Sequence, residues 1–162
     1  EAAEAAGSAN VNLQFKFLQK ITIDAGFTCP NRDGLRGTGG CTFCNNQAFT
    51  PRYNRPGIPI SEQIARGMEF HRTRYRKATS YLAYFQSYSN TYAPLEVLRE
   101  RYEQALQVPG IIGLVIGTRP DCVDEAILDL LQQYAKRYLV WIEYGLQFLR
   151  QEGDVTALAE YR

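Results

Sequence analysis

Ile111-Ile112-Gly113-Leu114-Val115-Ile116, followed by Gly117-Thr118-Arg119-Pro120-Asp121, is the stretch on which the fold turns. A short apolar run, stopped upstream by Val108-Pro109-Gly110 and downstream by polar residues, reads as a buried strand. Working outward, residues 81–85 (Tyr-Leu-Ala-Tyr-Phe) read as an aromatic-rich strand. Pro94 then opens a helix whose inner face is Leu95, Leu98, Tyr102 and Leu106. Downstream, Pro120 and Asp121 begin a helix with Val123, Ile127, Leu130, Leu131 and Tyr134 on one stripe. Residues 138–143 form the next strand, holding Val140, Trp141 and Ile142, with Trp141 expected to be buried. The strand starts at Tyr81, Ile111 and Tyr138 lie 30 and 27 residues apart, the period of a repeating strand–helix unit. Such a period builds parallel sheet through right-handed crossovers.

Nearer the N-terminus the same pattern begins. Residues 20–24 read as a strand in which Ile21 and Ile23 alternate with Thr22. Ser61 is the expected N-cap of a helix with Ile60, Ile64 and Met68 at spacing four, running to about Tyr75. Four strands alternating with three helices place the chain in the α/β class, as a small doubly wound sheet or as part of a TIM-like (βα) barrel. No Rossmann glycine fingerprint follows any strand, which favours the partial barrel. Barrel chemistry sits on the loops after the C-terminal strand ends. Here those loops are residues 26–57, 86–92, 117–121 and 143–147, each polar or glycine-rich.

Composition narrows the function classes. The 162 residues are 45% apolar and 22% charged, which excludes wholesale disorder, collagen-like repeats and a coiled coil. The longest apolar run is too short to span a bilayer, and no charged-then-apolar leader opens the sequence. A net charge of +1 gives no global pull toward nucleic acid or membrane. The expectation is a cytoplasmic protein without membrane contact.

Of four cysteines, Cys29, Cys41 and Cys44 lie within 16 residues, while Cys122 is distant. In a reducing compartment a cluster of cysteines points to metal ligands or catalytic thiols rather than disulfides. The spacing is C-x11-C-x2-C, with Gly34, Gly37, Gly39 and Gly40 in the long arm. The C-x2-C pair can grip one metal centre from a single turn, and the glycine-rich arm can bring the third thiolate around a bulky inorganic group. Three ligands rather than four favour an iron–sulfur cluster with one open iron over a closed structural zinc site. The alternative is a zinc-stabilised binding module, for nucleic acid for example, using His71 or Cys122 as a fourth ligand.

The run from Ile23 to Gly34 (I-D-A-G-F-T-C-P-N-R-D-G), with G-G-C-T-F-C-N-N-Q-A-F after it, resembles the YhcC-like subfamily of radical S-adenosylmethionine (SAM) proteins, near the Elongator catalytic subunit branch. Tyr84-Phe85-Gln86 with Asn90-Thr91-Tyr92-Ala93, the 117–121 segment, and Trp141-Ile142-Glu143-Tyr144-Gly145-Leu146-Gln147 extend the resemblance in order over residues 20–147. The resemblance implies a six-unit (βα) core, of which about four units are present, and a 4Fe-4S cluster on Cys29, Cys41 and Cys44. It further implies SAM on the fourth iron, an electron donor such as flavodoxin or ferredoxin, and an enzyme whose substrate class includes RNA as a candidate. By the same resemblance Phe43 packs near the adenine. The 86–90 segment, with Gln86 and Asn90, stands where the family's Gly-Gly-Glu meets the SAM amino group. Arg119 would pair with the SAM carboxylate, and Glu143 and Gln147 would contact ribose or substrate.

Residues 1–19 read as an arm or tag-like segment, residues 20–147 as the N-terminal part of a radical SAM core, and residues 148–162 as a tail, without the further strand–helix units the family carries. Cys122 reads as a buried structural thiol, His71 as a surface helix residue, and the basic run Arg72, Arg74, Arg76, Lys77 as a solvated helix end. Glu143, on the same strand side as Trp141, has an ordinary salt bridge as its simplest role.

Overall fold

The structure is a computed structural model, and it describes residues 18–41, 44–46, 50–54, 57–75 and 78–145. The strands are β1 (Leu18–Ile23), β2 (Ser80–Phe85), β3 (Ile111–Thr118) and β4 (Leu139–Tyr144). The helices are α1 (Ile60–Arg74), α2 (Leu95–Leu106) and α3 (Glu125–Ala135), and a 3-10 turn covers Pro120–Cys122. The α/β class and the strand–helix alternation are as the sequence predicts. All neighbouring strands pair in parallel, in the order β1-β2-β3-β4. The doubly wound arrangement reverses its strand order at a switch point; the four described strands show no such reversal.

Period two decides which side chains meet the helices. Ile21 and Ile23 of β1, Ala83 and Phe85 of β2, and Leu114 and Ile116 of β3 are fully buried. They form one core with Ile60 and Ile64 of α1, Leu98, Tyr102 and Ala105 of α2, and Ile127, Leu130 and Leu131 of α3. All three helices therefore cover one sheet face. A register shift between Tyr81 and Leu82 against β3 brings Ile111 into the same core despite its odd parity.

The opposite face presents Lys20, Thr22, Tyr84, Val115, Trp141 and Glu143. Lys20 of β1 forms an ion pair with Glu143 of β4, three strands away across β2 and β3. In a flat sheet those strands would lie about 14 Å apart, with side chains standing off it. The pair can meet only because this face is concave.

Four local expectations need correction. β1 starts at Leu18, two residues inside the segment expected to be an arm. The first helix is not capped by Ser61: it begins at Ile60, with Pro59 at the N-cap and no side-chain cap. The helix expected from Pro120 is broken in two, because Asp124 takes extended backbone and caps α3, accepting from the Ile127 N–H at 2.9 Å. Trp141, expected to be buried, is 41% exposed, because it lies on the concave face, which no helix covers among the described residues. Residues 1–17 of the 1–19 arm, residues 146–147 at the end of the expected core and the whole 148–162 tail lie outside the described residues, as do Arg76 and Lys77 of the basic run.

Candidate functional site

The C-terminal ends of β2, β3 and β4 and the loop after β1 enclose a cavity of about 370 Å³. Cys29, Cys41 and Cys44 all open onto it, together with Tyr84, Gln86, Tyr88, Thr118, Arg119, Glu143 and Tyr144. Cys29 is buried, Cys41 half-buried and Cys44 exposed. The thiols sense one another: burial pushes the Cys44 thiol up, repulsion from Cys41 and then Cys29 adds to it, and the Arg32 guanidinium opposes it. Among the described residues no three His, Cys, Asp or Glu side chains converge tightly enough to share a single metal ion.

The loop that carries the thiols is held by its own backbone. The Cys29 carbonyl accepts from the N–H groups of Arg32 (2.9 Å) and Asp33 (3.3 Å), the Pro30 carbonyl from Arg36 (2.8 Å), and the Asn31 carbonyl from Gly40 (2.8 Å). Gly40 has φ +75°, a left-handed conformation that favours glycine beside Cys41. The Asn31 amide donates to the Cys41 sulfur at 3.0 Å.

Two neighbouring connections dock the loop. Arg32 stacks over the Tyr88 ring (5.0 Å to the centroid), and the Ser89 N–H donates to the Thr28 carbonyl at 3.2 Å. Tyr88 holds φ +66°, a left-handed conformation that a bulky residue rarely adopts and that clusters at functional sites. From the other side Arg36 bridges to Asp121 at 2.8 Å.

The other expected site residues fall into three groups. Gln86, Arg119 and Glu143 line the cavity. The Arg119 fork is engaged by Asp121, Nε to Oδ1 and Nη2 to Oδ2 both at 2.8 Å, and this pairing holds the Asp121 carboxyl below the usual carboxylate range. Glu143 is engaged on both oxygens, by Lys20 on Oε1 and by the Tyr84 hydroxyl on Oε2 at 2.7 Å. Burial raises its carboxyl, but the bonds from Lys20 and Tyr84 outweigh this and leave it lowered; the Tyr84 hydroxyl is pushed up by burial first and by Glu143 next. The simple salt-bridge reading of Glu143 thus describes one of its two partners.

Asn90 is placed elsewhere. It is fully buried and does not line the cavity: its amide donates to the carbonyls of Phe85 (3.0 Å) and Gly117 (2.8 Å), and its own carbonyl accepts from Tyr102. It staples the ends of β2 and β3. Phe43 and Gln147 lie outside the described residues.

The two alternative fourth ligands are not on the cavity wall. Cys122 is buried and is not among the lining residues, and burial, followed by the Asp121 charge, pushes its thiol up to about 11. His71 stacks on Tyr75 and packs against Tyr81, at the N-terminal end of β2, opposite the rim that holds the thiols. Lys20, Asn31 and Tyr84 were not singled out as site residues from the sequence. For Lys20 and Tyr84 the signal was present, since each has the opposite parity to the buried residues beside it.

Comparison with known proteins places this chain beside three longer ones. It is 47% identical over 131 residues to Protein YhcC of Escherichia coli K12, covering 80% of this chain and 41% of that protein. It is 39% identical over 137 residues to Uncharacterized protein YtqA of Bacillus subtilis, covering 82% and 41%, and 36% identical over 148 residues to Uncharacterized protein MJ0486 of Methanocaldococcus jannaschii, covering 88% and 44%. No family model matches the chain, and no solved structure matches it significantly. The chain spans about two fifths of the length of the curated relatives it matches.

Proposed function

We propose that this chain is the N-terminal part of a radical SAM enzyme core, holding a 4Fe-4S cluster on Cys29, Cys41 and Cys44 and SAM beside it. The observation that carries the reading is the gathering of the three C-x11-C-x2-C thiols on one cavity, with Cys122 and His71 both off its wall. The donor set fits the group. Three thiols that open onto one space of about 370 Å³, with no fourth thiol or imidazole among its described lining residues, suit a cluster with one open corner better than a closed tetrahedral zinc. The 47% identity to Protein YhcC supports the subfamily resemblance.

When bound, the cluster supplies one electron for reductive cleavage of SAM to methionine and a 5'-deoxyadenosyl radical. The chain's own residues bind, orient and shield. Cys29, Cys41 and Cys44 are the cluster ligands. Gln86, at the end of β2, has both a donor and an acceptor for the SAM amino group. Arg119 lies on the wall as the residue that would meet the SAM carboxylate, with its Nε and Nη2 engaged by Asp121. Tyr84 and Lys20 hold the Glu143 carboxylate ionised and oriented at the cavity wall. Arg32, stacked on Tyr88, docks the cysteine loop against the connection that follows β2.

A partial TIM-like barrel is the architecture we assign. Lys20 is in register, through Leu82 and Gly113, with Leu139, yet it pairs with Glu143 four residues further along β4. Barrel strands are tilted, with a shear of roughly one residue per strand in an eight-stranded barrel, so three strand steps displace level residues by about three. The consecutive strand order and the helices on one face support the same architecture. RNA is the substrate class we propose on the Elongator likeness, with flavodoxin or ferredoxin as the electron donor.

The test is to incubate the anaerobically reconstituted full-length protein with SAM and a strong reductant, and to assay 5'-deoxyadenosine. Formation that depends on Cys29, Cys41 and Cys44 is expected; clustered, reduced protein that forms none overturns the enzymatic reading.

A further inference from the structure

Asn31 grips two consecutive residues at the point where the cysteine loop returns to the cavity. Its backbone carbonyl accepts from the Gly40 N–H at 2.8 Å, and its side-chain amide donates to the Cys41 sulfur at 3.0 Å. The amide is carried on a fixed turn, because the flanking bonds from Arg32 and Asp33 to Cys29 and from Arg36 to Pro30 set the backbone on both sides of it. A thiolate has no proton and can only accept, whereas the carboxamide nitrogen carries two donors. An N–H aimed at a metal-bound sulfur withdraws charge and favours the more negative, reduced state of an iron–sulfur centre. The more electrons the centre holds, the more such a bond is worth, so its loss lowers the reduction potential.

We propose that Asn31 is a positioning residue that donates to the Cys41 thiolate and raises the reduction potential of the cluster, an inference that rests on the iron–sulfur reading of the three thiols. Asn31 needs no contact with SAM or substrate for this role, and it is separate from the cavity-wall residues. Its chemistry is specific: aspartate has the same shape but places an anion where the donor was, and alanine removes the donor alone. Glutamine keeps the donor on a longer arm.

The test is potentiometric titration of the reconstituted full-length protein, followed through the EPR signal of the reduced cluster, in wild type, N31A, N31D and N31Q, with iron and sulfide measured on each sample. The expected result is near-wild-type iron content in all four. The midpoint of N31A moves to more negative potential, that of N31D moves further in the same direction, and that of N31Q returns toward wild type. N31A and N31D with full cluster content and a wild-type midpoint overturn the inference and leave the iron–sulfur reading standing. Variants that lose iron while the remaining cluster keeps its wild-type midpoint also overturn it, since Asn31 would then only build the loop. A wild-type protein that takes up no cluster overturns the iron–sulfur reading itself.

Discussion

Single side chains at this site divide into those that face the cavity and those that hold it in shape. Replacing Cys29, Cys41 or Cys44 by alanine should each abolish the visible absorption of the reconstituted protein, while C122A should keep it, because the Cys122 thiol is buried and held protonated by its surroundings. Retention of full colour in any of the first three contradicts the ligand assignment. Asn90 belongs to the second kind. N90A should destabilise the fold by about 1–3 kcal/mol, since the Phe85 carbonyl loses a buried donor, while the Gly117 carbonyl keeps the backbone N–H of residue 90; urea denaturation measures this.

Asp121 makes a pH prediction. Its carboxyl is held low chiefly by the Arg119 hydrogen bond. A depressed acid contributes stability that is present above the ordinary carboxylate range and is lost as pH falls through the depressed value. D121N should therefore flatten the acid limb of the stability–pH curve below about pH 5. An unchanged limb would show that the pair carries no such linkage.

The residue scale is also where the sequence was least complete. The cysteine spacing singled out Cys29, Cys41 and Cys44 directly, because their residue type and separation are local features, and the structure places all three on one cavity wall. Lys20, Asn31 and Tyr84 act through partners 123, 10 and 59 positions away, and a local pattern does not carry such pairings. Asn90 shows the converse: a polar residue in a polar loop looks like a binding group, and only the packing reveals it as a staple.

At the scale of elements, close approach is enforced by missing side chains. Gly67 lets α1 lie against β1, where a Cβ would come within 2.4 Å of Ile21 Cγ2. Gly113 faces β4, where a Cβ would lie 2.1 Å from the Leu139 carbonyl oxygen. G67A should cost about 1–3 kcal/mol by overpacking. G113A should cost at least as much, because backbone yields less than a side chain. Thermal denaturation of both variants ranks them, and wild-type stability in G113A would contradict the β3–β4 pairing.

Elements were legible where periodicity is strong. The 30- and 27-residue spacings located three strands to within one residue at their starts, because buried strands must be apolar and their crossovers have a nearly fixed length. Helix starts were less legible. Asp124 caps α3 only because the chain straightens after the Pro120–Cys122 turn, and Ser61 fails to cap because Pro59 has already set the first turn.

Over the whole molecule as described, helices cover one sheet face, the opposite face is concave, and Cys29, Cys41 and Cys44 meet at a single rim. The ion pair between Lys20 and Glu143 spans the described sheet from first strand to last, so it reports on the curvature that shapes the cavity. Among the described residues no helix is long and apolar enough to cross a membrane. The exposure of Trp141 was illegible in the sequence because an aromatic flanked by Val140 and Ile142 looks like core, and nothing local states which face a helix covers.

The central claim is that three thiols hold an iron–sulfur cube with one corner free. Metal and sulfide analysis of the anaerobically reconstituted full-length protein tests it most directly. The account predicts a brown protein with about four iron and four sulfide per chain, whose reduced EPR signal changes when SAM is added. A colourless protein that binds one zinc ion per chain and no sulfide would contradict it.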